Sequence, residues 1–156
     1  MKRVWYDDYP IGVIGIAEDS GSISHLFFGR DKGPAGFEVG ATPLIEKAVL
    51  QLREYFDGKR TEFDLPLCLQ GTEFQQSVWK ALQTIAAAET RSYKEIAVQI
   101  GNPKAVRAVG MANNRNPISI IVPCHRVVGA DGSLTGYGGG LPVKKYLLDL
   151  EKRYYA

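Results

Sequence analysis

A chain of 156 residues, 45% apolar and 23% charged with a net charge of +2, has a globular rather than a disordered composition. It is long enough to bury a core, as one domain or two small ones. No apolar stretch approaches the roughly 20 residues that span a bilayer, and Met1-Lys2-Arg3-Val4-Trp5-Tyr6-Asp7-Asp8 has no apolar signal core, so no membrane partner and no export are expected.

Charge is divided unevenly along the chain. Residues 1–70 carry 8 Lys+Arg against 11 Asp+Glu, and residues 71–156 carry 11 against 6. A phosphate-contacting surface belongs on the second part, if anywhere. The two cysteines, Cys68 and Cys124, are read as free thiols in a reducing compartment. With only two histidines, far from one another, no metal site is expected.

In chain order, Pro10 to Ala17 and Ile23 to Phe28 are β-rich runs around the hairpin sequence Asp19-Ser20-Gly21. Thr42-Pro43 combines an N-cap with proline in the first helical turn. Leu44, Ala48, Leu52 and Tyr55 then recur on one helical face, and Gly58 stops the helix. Asp64 to Leu69 reads as a last short strand, and Gln70-Gly71-Thr72 as the boundary between domains 1–70 and 71–156.

Beyond that boundary, Phe74, Val78, Leu82 and Ile85 mark a helix over about 72–87. Ser92 and Glu95 have capping-box spacing and open a short helix ending at Gly101. Asn102-Pro103 repeats the cap-plus-proline signal, predicting a further helix to about Asn113. Two short helices joined by a tight turn suggest a helix-turn-helix. Ile118 to Val122 is apolar apart from Ser119 and is read as buried. A glycine-rich loop, residues 136–140, precedes a terminal helix opened by Pro142. Trp79 is assigned to helix packing, Cys68 to a buried structural thiol and His25 to the surface. The predicted class is α+β, a small α/β domain followed by a helical one.

The chemistry concentrates in Ile121-Val122-Pro123-Cys124-His125-Arg126-Val127-Val128. A thiol with an ordinary pKa of about 8.5 is mostly protonated at neutral pH and needs a base or a positive charge to become a prompt nucleophile. Neighbours on a strand point to opposite faces, so contact between Cys124 and His125 would need the Pro123 bend or a bridging water. Taken alone, a cysteine beside a histidine is more often an inert buried thiol.

Pro123-Cys124-His125-Arg126-Val127 resembles the active-site signature of the O6-alkylguanine-DNA alkyltransferases. The resemblance extends to Ser92-Tyr93, to Gly101-Asn102-Pro103-Lys104-Ala105-Val106-Arg107-Ala108-Val109-Gly110, to Asn116-Pro117, and on to Tyr137, Gly139-Gly140-Leu141, Lys144 and Glu151. It covers roughly 72–151 in family order and spacing. The first half has a suitable length for the family's N-terminal domain but no specific motif.

The resemblance implies a ribonuclease-H-like first domain and a winged-helix or helix-turn-helix second domain that binds DNA and carries the reaction. Cys124 would take the alkyl group from guanine O6 once, irreversibly. His125 would accept the thiol proton, through a water, and Glu151 would orient the imidazole. Tyr93 would donate a proton or hydrogen bond to the base, and Asn116 would pin the turn before the active site. Arg107 would fill the gap left by a flipped nucleotide. Ala105, Ala108, Gly110 and Ala112 would let the helix approach the minor groove. Tyr137, Gly138, Gly139, Lys144 and Val127 would line the guanine pocket. Gly138 stands where some members carry a small hydroxyl residue. For Lys144, facing DNA, capping the site and simple solvation are all open. The implied partner is double-stranded DNA containing O6-alkylguanine, bound by a monomer in the cytoplasm, with no cofactor. A lesion binder without transfer activity and a helix-turn-helix regulator are the alternatives.

Overall fold

In the computed structural model, which describes residues 1–156, the chain divides into two units, Met1–Leu69 and Gln70–Ala156. The first is built on two hairpins. Strand β1 (Lys2–Tyr9) runs antiparallel to β2 (Gly12–Asp19), which pairs in turn with β3 (Ser22–Phe28). Ser20 and Gly21 turn the second hairpin with φ of 52° and 89°, and two positive φ values match the right-handed twist of the strands they join. A two-residue strand β4 (Glu38–Val39) adds parallel to β1, giving the order β3-β2-β1-β4.

Helix α1 (Pro43–Phe56) packs on this sheet. Its buried stripe of Ile45, Ala48, Leu52 and Tyr55 meets a core containing Val4, Ile14, Ile16 and Ile23. Thr42 caps it as expected, accepting from the Ile45 amide, while the Thr42 hydroxyl donates to the buried Glu18 carboxylate. The strand expected over Asp64 to Leu69 is reduced to one bridge between Leu67 and Ile23. The β1 strand was not foreseen: of its eight residues only Val4 and Tyr9 are buried, so its sequence lacks an apolar alternation.

The second unit is mainly helical: α2 (Glu73–Leu82), α3 (Tyr93–Gln99), α4 (Val106–Asn114) and α5 (Leu141–Tyr155). Complete capping boxes open α2 at Thr72 with Gln75 and α3 at Ser92 with Glu95. Two boundaries differ from expectation. Helix α2 stops at Leu82, and Ile85 reaches the core from the following turn. Asn102-Pro103 does not open α4; the Asn102 carbonyl accepts from the Ala105 amide at 3.0 Å, closing a turn, and the helix starts at Val106. The order α3–turn–α4 is nevertheless that of a helix-turn-helix, with Gly101 at φ 80° in the turn. Trp79, 2% exposed, donates from Nε1 to the Ala112 carbonyl at 2.9 Å and ties α2 to α4. Strand β5 (Arg91–Ser92) pairs parallel with β6 (Val127–Val128), placing the start of α3 beside the chain that leaves Cys124.

Candidate active site

The segment before the thiol is not a strand. Ile118, Ile120 and Val122 are buried, but the backbone folds on itself: the Val122 amide donates to the Ile118 carbonyl at 3.0 Å, and the Cys124 amide to the Val122 carbonyl at 2.8 Å. Ile120 is held at φ 70°, a left-handed conformation that is strained for a β-branched residue. Asn116 supports this double turn from both ends of its amide. Its Nδ2 donates to the Val122 carbonyl at 2.7 Å, and its Oδ1 accepts from the Ile118 amide at 3.0 Å.

Cys124, His125 and Arg126 then form a single 3-10 turn, all three buried. Asn113 of α4 donates to the Cys124 carbonyl at 3.3 Å. The site therefore hangs between α4, β6 and α5. Cys124 is 3% exposed, and burial pushes its thiol above the ordinary value, against hydrogen bonds from Asn116 and Ser119 and the charge of Lys144. The resting sulfur is a shielded thiol, not a presented thiolate.

His125 is fully buried, with Nε2 at 2.6 Å from Glu151 Oε2. Burial pushes the imidazole below 6.5, against the opposing pull of Glu151. Burial alone would raise the Glu151 carboxyl; hydrogen bonds and charges from His125 and Arg126 outweigh it and hold the group far below the usual carboxylate range. An ionised carboxylate only accepts, so Nε2 carries the ring proton and Nδ1 keeps its lone pair. Nδ1 makes no hydrogen bond within the protein. The ring is thus a neutral base in a fixed tautomer, next in sequence to the thiol.

Arg126 completes this arrangement, although the sequence reading gave it no role. Its Nε and Nη2 reach Glu151 at 2.8 and 2.9 Å, and its Nη1 donates to the Ile85 carbonyl at 2.6 Å. Asn113 and Ser119 were also missed. An arginine inside the quoted motif and an asparagine one turn before Asn116 were visible, but only folding shows what they touch.

Tyr93, at the start of α3, is half-buried, and its hydroxyl donates to the Thr135 carbonyl at 2.9 Å. Lys144 is fully buried, so neither solvation nor a DNA-facing position fits. Val127, fully buried in β6, offers its carbonyl to this lysine. Tyr137 is mostly buried, with its hydroxyl pushed well above 10, chiefly by burial and next by the proximity of Cys124. Gly138 is exposed, and an added Cβ there would meet nothing within 4 Å; Gly139 is half-buried.

The proposed DNA-facing residues fall into two groups. Arg107 and Ala108 are exposed on α4, and Ala105 and Gly110 are half-exposed; a Cβ added at Gly110 would lie 3.8 Å from the Tyr93 ring, in ordinary contact. Ala112 is corrected: at 3% exposure it faces the core, beneath Trp79. Cys68 is only partly buried, and His25 is half-buried against Phe37 instead of lying free on the surface. No group of residues that could hold a metal ion is present.

Residues 3–69 match the 6-O-methylguanine DNA methyltransferase ribonuclease-like domain, and residues 73–153 the DNA-binding domain of the same family. The methylated-DNA–protein-cysteine methyltransferase of Mycobacterium tuberculosis H37Rv is 68% identical over 147 residues, covering 93% of this chain and 89% of that protein. The Methanosarcina barkeri protein of the same name is 53% identical over 156 residues, covering 96% and 98%. A crystal structure of the Mycobacterium tuberculosis OGT protein in complex with DNA superposes with a TM-score of 0.90 at 51% identity, covering 97% of this chain and 94% of that one. With both domains matched in order over nearly its whole length, the chain belongs to the 6-O-methylguanine DNA methyltransferase family.

Proposed function

We propose that the chain repairs alkylated DNA directly, moving an alkyl group, methyl at least, from guanine O6 to Sγ of Cys124. The observation that carries this reading is the locked, neutral His125 beside a buried thiol. The bond from the alkyl carbon to O6 breaks as the bond to sulfur forms. The thiol proton passes through a water to His125 Nδ1, and the Glu151 carboxylate stabilises the imidazolium that results. Burial keeps the sulfur protonated until a base fills the pocket. Tyr93 then supplies a proton or hydrogen bond to the departing guanine. Water cannot readily displace the Cys124 thiolate from the alkyl carbon of the product thioether, so each molecule acts once.

The substrate base must leave the duplex to reach a buried sulfur, at a cost of a few kcal/mol. Exposed Arg107 on α4 fits the gap left behind, and Ala105, Ala108 and Gly110 keep that helix slim. Residues 71–156 then bind DNA and carry the reaction, and residues 1–70 form a structural domain. The protein works as a monomer on double-stranded DNA, in the cytoplasm or another intracellular compartment with access to DNA. No helix is long and apolar enough to cross a membrane.

Intact-mass measurement after mixing with excess O6-methylguanine duplex tests the reading. One methyl group per chain, on the peptide containing Cys124, is expected. Continuous turnover, or lesions disappearing while that peptide stays unmodified, refutes it. Cys124→Ala should bind the lesion and accept no label.

A further inference from the structure

Lys144 is an unusual residue to find fully buried on α5, whose other buried side chains are Leu147, Leu150 and Glu151. Its ammonium makes no ion pair. It donates instead to three backbone carbonyls, of Val127 at 2.5 Å, Thr135 at 2.9 Å and Gly136 at 3.5 Å, and lies 6.0 Å from the centre of the Tyr93 ring. Three acceptors match the three N–H donors of a protonated lysine. Burial pushes the group down to about 8, partly opposed by the nearby Cys124, so at neutral pH most molecules keep all three donors.

The Thr135 carbonyl is shared. It accepts from Lys144 Nζ and also from the Tyr93 hydroxyl, while Thr135 Oγ1 donates back to Tyr93 Oη at 3.3 Å. A phenol has one O–H. For Tyr93 to hydrogen-bond a guanine in the pocket, its bond to Thr135 must break. Without a second donor, the carbonyl of the exposed Thr135 would have only water to replace the phenol at that moment, with nothing to hold its direction.

We propose that Lys144 is a positioning residue: it ties the loop at Thr135 and Gly136 to β6, and it keeps the Thr135 carbonyl satisfied so that Tyr93 can turn its O–H toward the substrate base. Lys144 acts through Tyr93 and touches no reacting atom. The proposal rests on the alkyl-transfer reading above and adds the cause of Tyr93's availability. It also explains a buried charge with no counter-ion, since the loop's peptide dipoles take that place.

The test is single-turnover transfer from O6-methylguanine duplex, measured for the unmodified protein, Lys144→Met, Tyr93→Phe and the double variant. The transfer rate constant at saturating DNA should fall about 10-fold in Lys144→Met, while affinity for undamaged duplex stays within about twofold, because the loss is in orientation and not in DNA contact. In the double variant the losses should not multiply, because both changes remove the same hydrogen bond. Losses that multiply, or Lys144→Met transferring at the unmodified rate, overturn the proposal. If Lys144→Met does not fold, Lys144→Gln keeps two N–H donors and carries the test in its place; its loss should be smaller and again vanish in the Tyr93→Phe background, and persistence there is the overturning result. The unmodified protein is the control for the underlying reading: if it transfers nothing to Cys124, that reading fails first, whatever the variants do.

Discussion

Glu151 shows how one carboxylate can set the state of a buried imidazole. Oε1 accepts from Arg126 Nε and, at 3.2 Å, from the Ala88 amide; Oε2 accepts from His125 Nε2 and Arg126 Nη2. Arg126 balances the charge, which lets His125 stay neutral beside a buried anion. Replacing Arg126 by Met should therefore do two things. Leaving Glu151 as a buried charge without its arginine should destabilise the fold by about 3–5 kcal/mol. Glu151 should then hold a proton on His125, removing the lone pair proposed to accept the thiol proton, and transfer should slow more than DNA binding weakens. Urea unfolding and single-turnover rates check the two effects. The pH dependence has a fixed sign. The folded values of both His125 and Glu151 lie below their ordinary values of 6.5 and 4.5, so the unfolded chain binds protons more readily than the native one in both windows. Stability should fall as pH drops below about 6.5, through His125, and fall further below about 4.5, through Glu151. A urea midpoint that rises between pH 6.5 and pH 4 would contradict this assignment.

Helix α4 separates two kinds of small residue that composition alone treats alike. Ala108 is exposed beside Arg107, whereas Ala112 is buried and its carbonyl receives the Trp79 indole. Ala108→Glu should leave stability within about 0.5 kcal/mol and weaken DNA binding about 10-fold by setting an anion against phosphates. Ala112→Leu should instead cost about 1–3 kcal/mol through overpacking, while its DNA affinity per folded molecule stays unchanged. Thermal unfolding and duplex titration distinguish them. The contrast also marks what was legible in the sequence. The caps at Thr42 and Ser92 are set by neighbours within three residues, so the sequence shows them directly, whereas the Thr72–Gln75 box, of the same spacing, went unread because the helix was expected to begin at Thr72 itself. The family motif located Cys124, His125 and Glu151, because it preserves order and spacing. The double turn at Asn116 was not legible as geometry: Ile118 to Val122 reads only as a buried run until the Asn116 amide is seen holding both ends. The end of α2 was equally hidden, because the turn after it is held by long-range partners, Glu151 on the Ala88 amide and Arg126 on the Ile85 carbonyl. Pro103 misled for a local reason, since the same Asn-Pro pair that starts a helix also closes a turn.

The two units differ in how many cations they leave free. In the first, Arg3, Lys47, Arg53 and Arg60 are engaged by Glu38, Asp64, Asp7 and Glu54, which leaves Lys2, Arg30, Lys32 and Lys59 outside any ion pair in a unit with more acidic than basic residues. In the second, Lys80, Lys94, Lys104, Arg107 and Arg115 are exposed and form no ion pair. Residues 71–156 also carry the excess of Lys+Arg, 11 against 6 Asp+Glu. Free cations can displace counterions from DNA without first breaking a protein ion pair, and each phosphate so neutralised adds about 0.9 to the salt slope of log affinity. The salt dependence of duplex binding should therefore originate in the second unit. Lys104→Ala and Arg107→Ala lie outside the buried site, so each should lower the slope by about one unit with little effect on the transfer rate of lesion already bound. Arg107 carries a further expectation. If it fills the gap left by a flipped nucleotide, its removal should also weaken the preference for lesion-containing over undamaged duplex, which Lys104→Ala should leave intact. Lys59→Ala, an exposed change in the first unit, should alter neither slope nor preference. Titrations of both duplexes between about 50 and 200 mM salt supply all of these quantities. A slope that responds to Lys59 as strongly as to Lys104 would move the DNA-binding surface out of the second unit.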